Sequence, residues 1–313
     1  MDNSVDREIW RLSAATFVAL VSEPLLLLAD AAIVGHLGTP ELAGLGIASA
    51  VLGTVMSLSI FLAYGTTSGV SRLVGAGRER DALALGIDGL WLATLLGGLI
   101  TAVGLLGNRT IIGWFGPTAE VADQAAAYLQ IAWLGTIPML LMLASVGILR
   151  GVKDVRTPML VAVAINLTNI VLNYLLVYVV GWDIRGAATG TVVAQVVAAV
   201  WLGTAVVRRA RTVGAPLAPD RVGIKAAATT GVPLVVRTLL LRAALLLMTW
   251  QATSYGAPEL ATMQLALTIW TFLSFALDAL GISAQTLVGT ELGRGDRDVA
   301  RQLTTRLIWW SLA

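Results

Sequence analysis

The sequence predicts an all-α polytopic membrane protein: a six-helix N-terminal lobe followed by part of a second lobe, in a parallel two-lobe (6+6) repeat. Three observations carry this fold class. Of 313 residues, 57% are apolar and 13% charged, where soluble domains hold about 25% charged residues. The apolar residues gather into stretches long enough to cross a bilayer. The sequence also matches itself at an offset of 218 residues. So little polar surface excludes a soluble enzyme, and so little charge excludes a disordered chain. With no cysteine and one histidine, His36, thiolate chemistry and histidine-based metal sites or triads are excluded as well.

A membrane helix needs roughly 20 mostly apolar residues. Such stretches run over about 12–35, 42–71, 83–106, 122–149, 158–180, 186–207, 226–253 and 259–290, and a ninth begins near 302. Between them lie turn-formers, among them GHLGTPE, GAGRERD, RGVKDVRTP, GAPLAPD and GRGDRD. The first stretch is too long for a cleaved signal sequence and contains Glu23, Pro24 and Asp30, so it reads as a retained helix. Pro24, Pro138, Pro158 and Pro233 are expected to kink or open their helices.

Basic residues alternate between connectors. Arg7 and Arg11 precede helix 1, and Arg72, Arg78 and Arg80 follow helix 2. Arg150, Lys153 and Arg156 follow helix 4, five more lie between 208 and 225, and Arg294, Arg297 and Arg301 follow helix 8. That is 16 on one side, against Arg109 and Arg185 on the other. The positive-inside rule then places the N-terminus in the cytoplasm, with the chain in the cell inner (plasma) membrane. These clusters read as topology signals, not as a nucleic-acid site.

The repeat aligns GTPELA (38–43) with GAPELA (256–261), and without a gap puts Gly75, Gly77 and Ala82 on Gly293, Gly295 and Ala300. From 38 to 82, 11 of 45 positions are identical. Helices 1–2 are therefore duplicated as helices 7–8. A unit of six helices is even, so both copies share one orientation. Two units need about 436 residues, twice the offset. The expectation is a fragment or truncated product of a twelve-helix protein, divided into 1–213 (six helices) and 219–313 (helices 7, 8 and the start of 9).

Each ionisable side chain at mid-membrane costs about 2.5–3.5 kcal/mol on insertion scales, which makes it a functional candidate. Glu23 and Asp30 lie seven residues apart, on one helix face. Asp30, in the outer half of helix 1, is an acid that can take up and return a proton; its bland alternative is a hydrogen-bonded structural acid. Asn166, Asn169 and Asn173 form a polar stripe on helix 5, either interhelical glue or a network around Asp30 and a coupling ion. Arg237 and Arg242 on helix 7 and Asp278 on helix 8 are expected to pair with each other or with Glu23 across a cavity. His36 reads as a loop residue. Tryptophans 91, 114, 133, 182, 201, 309 and 310 fit interfacial belts or packing, whereas Trp250 and Trp270 could face the cavity and contact a cationic ligand. No Walker A, GxSxG or HExxH motif is present.

The block EPLLLLADAAIVGHLGTPELAGLGIA, the helix 5 line NLTNIVLNYLLVYVVGWDIRGAATGT and the block QTLVGTELGRGD resemble the multidrug and toxic compound extrusion (MATE) family, within it the DinF-like branch. The resemblance covers essentially the whole chain. It implies twelve helices in two lobes and export of amphipathic, often cationic, small organic compounds by cation antiport. It implies no enzyme activity and no cofactor beyond a coupling ion, in a monomer embedded in the bilayer. It places the family's cation site on Asp30, Asn169, Asn173 and, on helix 6, Thr191. Some members carry an aspartate where this chain has Asn173. Its loss weakens a sodium site, since hard cations want anionic oxygens, and favours H+ over Na+. Many members have a helix 1 proline at the position of Ala15, absent here, which puts proline-assisted bending of helix 1 in doubt unless Pro24 replaces it. The alternatives are a lipid-linked oligosaccharide flippase of the same superfamily, which would favour a strongly basic cavity, and a non-transporting truncated membrane protein.

Overall fold

The computed structural model describes residues 3–253 and 257–312, excepting the side chains of 3–5, 23, 246, 249, 250, 252, 253, 257–261, 264, 265, 268 and 272. The described residues form helices and short connectors, with no strand among them. α1 (Asn3–Gly35) is the first span. α2 (Thr39–Ser59) and α3 (Phe61–Gly75) make the second, and α4 (Glu79–Gly113) the third. α5 (Ala119–Ala132), a 3-10 turn (Trp133–Gly135) and α6 (Thr136–Gly151) make the fourth. α7 (Arg156–Tyr174) continues into a π-helical stretch (Leu175–Val179), and α8 (Asp183–Thr212) is the sixth span. α9 (Arg221–Thr253), α10 (Ala257–Arg294) and α11 (Arg297–Leu312) follow. Eight helical segments among the described residues are long and apolar enough to cross a membrane. α11, at 16 residues, is shorter than a span.

The breaks inside spans have local causes. At Ile60 there is no proline. Instead the Ser57 and Ser59 hydroxyls donate back to the Gly53 and Val55 carbonyls at 2.7 and 2.8 Å, competing with the helix ladder. In the fourth span Pro138 lacks the N–H that would bond the Leu134 carbonyl, so the chain tightens into the 3-10 turn just before it. Pro158 does not kink its helix: it stands in the first turn of α7, where a missing N–H costs nothing. α1 and α9 run on through Pro24 and Pro233 without interruption.

At one end of the bundle, basic residues bind partners on other helices. Lys153 pairs with Glu8 at 2.9 Å, and Arg209 with Glu79 at 3.5 Å. Arg80 donates to the Gly214 carbonyl at 3.0 Å, and Arg306 forms a two-pronged pair with Asp6. The linker between α8 and α9 is held there against α4. Trp91 Nε1 donates to the Leu217 carbonyl at 3.1 Å, and the buried Asp88 carboxylate accepts the Asp220 N–H at 2.9 Å. Asp220 in turn accepts the N–H groups of Val222 and Gly223 at the start of α9.

The 218-residue repeat reappears as a contact. Where α3 crosses α10, a Cβ on Gly75 would overlap the Thr290 carbonyl, and a Cβ on Gly293 would overlap the Arg72 carbonyl. Adding 218 to 72 and 75 gives 290 and 293, so each side offers the same residues to the other, as a two-fold relation requires. Gly77 and Gly295, also repeat mates, both end their helices at positive φ, 73° and 84°. α1 spans both parts of the bundle. Its N-terminal half packs Ile9 and Leu12 against Leu287, Leu303 and Leu307 of α10 and α11, and Ser13 Oγ donates to Ser283 Oγ at 3.0 Å. Its other half runs along α2 and α7.

Candidate cation-coupling site

At a spacing of four residues, about one turn, α7 buries Val161, Ile165, Asn169, Asn173 and, in the π-helical stretch, Val177. The two amides are therefore in the bundle interior, 1% and 0% exposed. Asp30 meets them from α1 and is itself only 6% exposed. Asn173 Nδ2 donates to Asp30 Oδ1 at 2.7 Å and to Asn169 Oδ1 at 2.9 Å. Asn169 Nδ2 donates to Thr191 Oγ1, on α8, at 3.1 Å. The four residues form one chain of hydrogen bonds across three helices, ending in a single carboxylate. Asn173 Oδ1 is buried and has no hydrogen-bond partner.

Two glycines let α8 approach this closely. A Cβ on Gly190 would run into the Asn173 amide, and one on Gly186 into the backbone at Leu176 and Val177. Their four-residue spacing is the small-residue pattern of close helix contacts in membranes. Tyr178, in the π-helical stretch, donates from its hydroxyl to the Ile33 carbonyl at 2.5 Å and pins the C-terminal end of α1. Tyr128 of α5, buried, reaches Thr191 and lies near Asp30. Sequence reasoning missed Tyr128 and Gly190. Tyr128 sits in an apolar helix where a tyrosine signals nothing, whereas the Gly186–Gly190 spacing was visible.

Asn166 is half-buried one turn from the chain. Asp30 is far along α1 from Glu23, whose side chain lies outside the described residues, as does that of Trp250. Trp270 is 61% exposed. His36 is in the α1–α2 connector, its Nδ1 2.6 Å from the Ala32 carbonyl. Arg242, expected to pair with an acid, donates from its guanidinium to Ser57 Oγ at the α2–α3 break; its other expected partner, the Glu23 side chain, lies outside the described residues. Arg237 and Asp278 lie near each other and near Tyr64 of α3, but do not form an ion pair within 4 Å. The reading of Arg150 as loop charge is corrected. It is 7% exposed, its guanidinium near Tyr64.

A polytopic helical bundle whose two parts meet at repeat-related positions, with a carboxyl, Asp30, buried among amides inside one of them, is an architecture found in membrane transporters. The chain belongs to the MatE family, which it matches over residues 15–175 and 233–313. It is 29% identical to Protein DETOXIFICATION 44, chloroplastic, of Arabidopsis thaliana, over 99% of this chain and 61% of that protein. It is 27% identical to DNA damage-inducible protein F of Escherichia coli (strain K12), over 94% of this chain and 65% of that protein. The chain thus spans less than two thirds of the length of these two relatives. Among solved structures it resembles a MATE transporter in the bent conformation, with TM-score 0.90 and 24% identity over 97% of this chain and 69% of that one. It also resembles a MOP superfamily transporter from Pyrococcus furiosus, with TM-score 0.86 and 24% identity over 97% of this chain and 68% of that one. Both show the two-lobe fold.

Proposed function

We propose that the protein works in a secondary active antiporter that exports amphipathic organic compounds in exchange for protons. Its lobes divide at residues 213–219, and its basic end, with the N-terminus, faces the cytoplasm. The observation that carries this reading is the site's composition: one carboxyl, Asp30, joined only to neutral amides and a hydroxyl. With one carboxylate among its four residues, the site favours H+ over Na+. The Asn173 amide suits both protonation states. Its NH2 serves the carboxylate, as seen here, and its idle oxygen, after a flip, accepts from a carboxylic acid.

α1 supplies the route from proton to substrate. It carries Asp30 at one end, and Ser13 and Asp6, which contact α10 and α11, at the other. Losing the Asp30 charge changes how α1 sits against α7, and the second lobe is attached to the same helix. The two states thereby become a population that the gradient biases. The test is efflux from proteoliposomes under an imposed pH gradient. Asp30→Asn should fold and still exchange substrate at equilibrium but lose gradient-driven efflux. Equal gradient-driven rates in parent and variant would refute the assignment.

A further inference from the structure

The repeat relates two ties between the parts of the bundle, and the two are built differently. Taking 218 from 306 and 309 gives 88 and 91, so Arg306 and Trp309 of α11 are the repeat mates of Asp88 and Trp91 of α4. Each helix reaches the start of the first helix of the other repeat. Arg306 reaches Asp6 of α1 through the two-pronged pair, its Nε 2.6 Å from Oδ1. Asp88 reaches Asp220, just before α9, by accepting its N–H at 2.9 Å.

The tie between α1 and α11 is made of side chains alone. Besides the ion pair, Trp310 Nε1 donates to Asp6 Oδ1 at 3.3 Å, and the Trp10 and Trp310 rings lie 6.3 Å apart. The Asp6 and Arg306 side chains stay 29% and 28% exposed, so water can take the place of each bond as it breaks. The tie between α4 and α9 holds backbone instead. Asp88, Trp91 and Arg80 fix the Asp220 N–H and the Leu217 and Gly214 carbonyls. Ala215 is buried in the same apolar cluster as Val206 and Ala210, and the peptide chain itself joins α8 to α9 across 213–220. Opening this tie would strip a buried carboxylate of its partner. We propose that the α1–α11 tie is a latch and the α4–α9 tie the hinge about which the two parts swing, so that only one of two repeat-related seams opens. This rests on the export reading above and names the seam through which substrate enters from the cytoplasm.

The chain has no cysteine, so introduced thiols report alone. The test, on the full chain in proteoliposomes, is maleimide labelling of Ile9→Cys, buried beside the latch, and of Ala215→Cys, buried at the hinge. A buried thiol reacts only when its site opens, so its rate follows the open fraction. Arg306→Gln should speed labelling of Ile9→Cys by about three- to tenfold, the range for a partly exposed two-pronged pair, and leave Ala215→Cys unchanged. Combining Asp6→Arg with Arg306→Asp should restore the parent rate. Disulfides then locate the movement. Ser13→Cys with Ser283→Cys, whose hydroxyls are in contact, crosslinks the latch side. Asp88→Cys with Gly223→Cys crosslinks the hinge, where a Cβ on Gly223 would lie 3.4 Å from that of Asp88. Oxidation should stop efflux in the first pair and spare it in the second. An Ile9→Cys rate indifferent to Arg306→Gln, an equal rise at Ala215→Cys, or the opposite pattern of crosslinks overturns the proposal. A parent without gradient-driven efflux would sink the antiporter reading, and the labelling rates would still decide which seam opens.

Discussion

At the α3–α10 crossing one methyl group should separate two otherwise similar glycines. Built onto Gly75, a Cβ overlaps the Thr290 carbonyl, and built onto Gly293 it overlaps the Arg72 carbonyl. Both obstacles are backbone, so no side-chain rotation relieves them, and the helices must part. Overpacking of this kind costs about 1–3 kcal/mol. Gly75→Ala and Gly293→Ala should each lose that much, by similar amounts because the crossing is two-fold. The double variant should lose less than the sum, since the first methyl already opens the contact. Gly203→Ala is the control: it is helical with nothing within 4 Å of its Cβ, and should be neutral or more stable by up to about 1 kcal/mol. Reversible unfolding in detergent measures all four. Gly75→Ala and Gly293→Ala as stable as Gly203→Ala would refute the close crossing.

Gly190→Ala drives a methyl into the Asn173 amide and should cost about 2 kcal/mol, two buried hydrogen bonds at about 1 kcal/mol each, seen as a lower melting temperature together with weakened proton coupling. Asp88→Ala and Trp91→Phe each remove one tie on the 213–220 linker, and limited proteolysis should cut there sooner than in the parent. Asn173→Asp gives the site a second carboxylate. It should make efflux depend on sodium where the parent's does not, and a variant insensitive to sodium would count against the charge argument.

The spans were legible because hydrophobic length needs no tertiary information. Asp30, Asn169 and Asn173 were legible for a related reason: polar atoms inside an apolar stretch must be satisfied by one another. The repeat was visible at 38–43 and 256–261, but the crossing of Gly75 and Gly293 needed the fold. The break at Ile60 was not legible, because serines at 57 and 59 bend a helix only where packing allows. Arg150 misled: next to Lys153 and Arg156 it has the look of loop charge, yet the long side chain runs inward from the last turn of α6. The hold of Asp88 and Trp91 on the linker was hidden too, since sequence separations of 126 and 132 residues leave no periodic trace.

The central claim is that Asp30 carries the exchanged proton. In weakly buffered detergent solution, adding a transported substrate to the parent protein should change the solution's proton content by about one proton per chain. Asp30→Asn, binding the same substrate, should change it by none. Equal proton exchange by parent and variant would contradict the account.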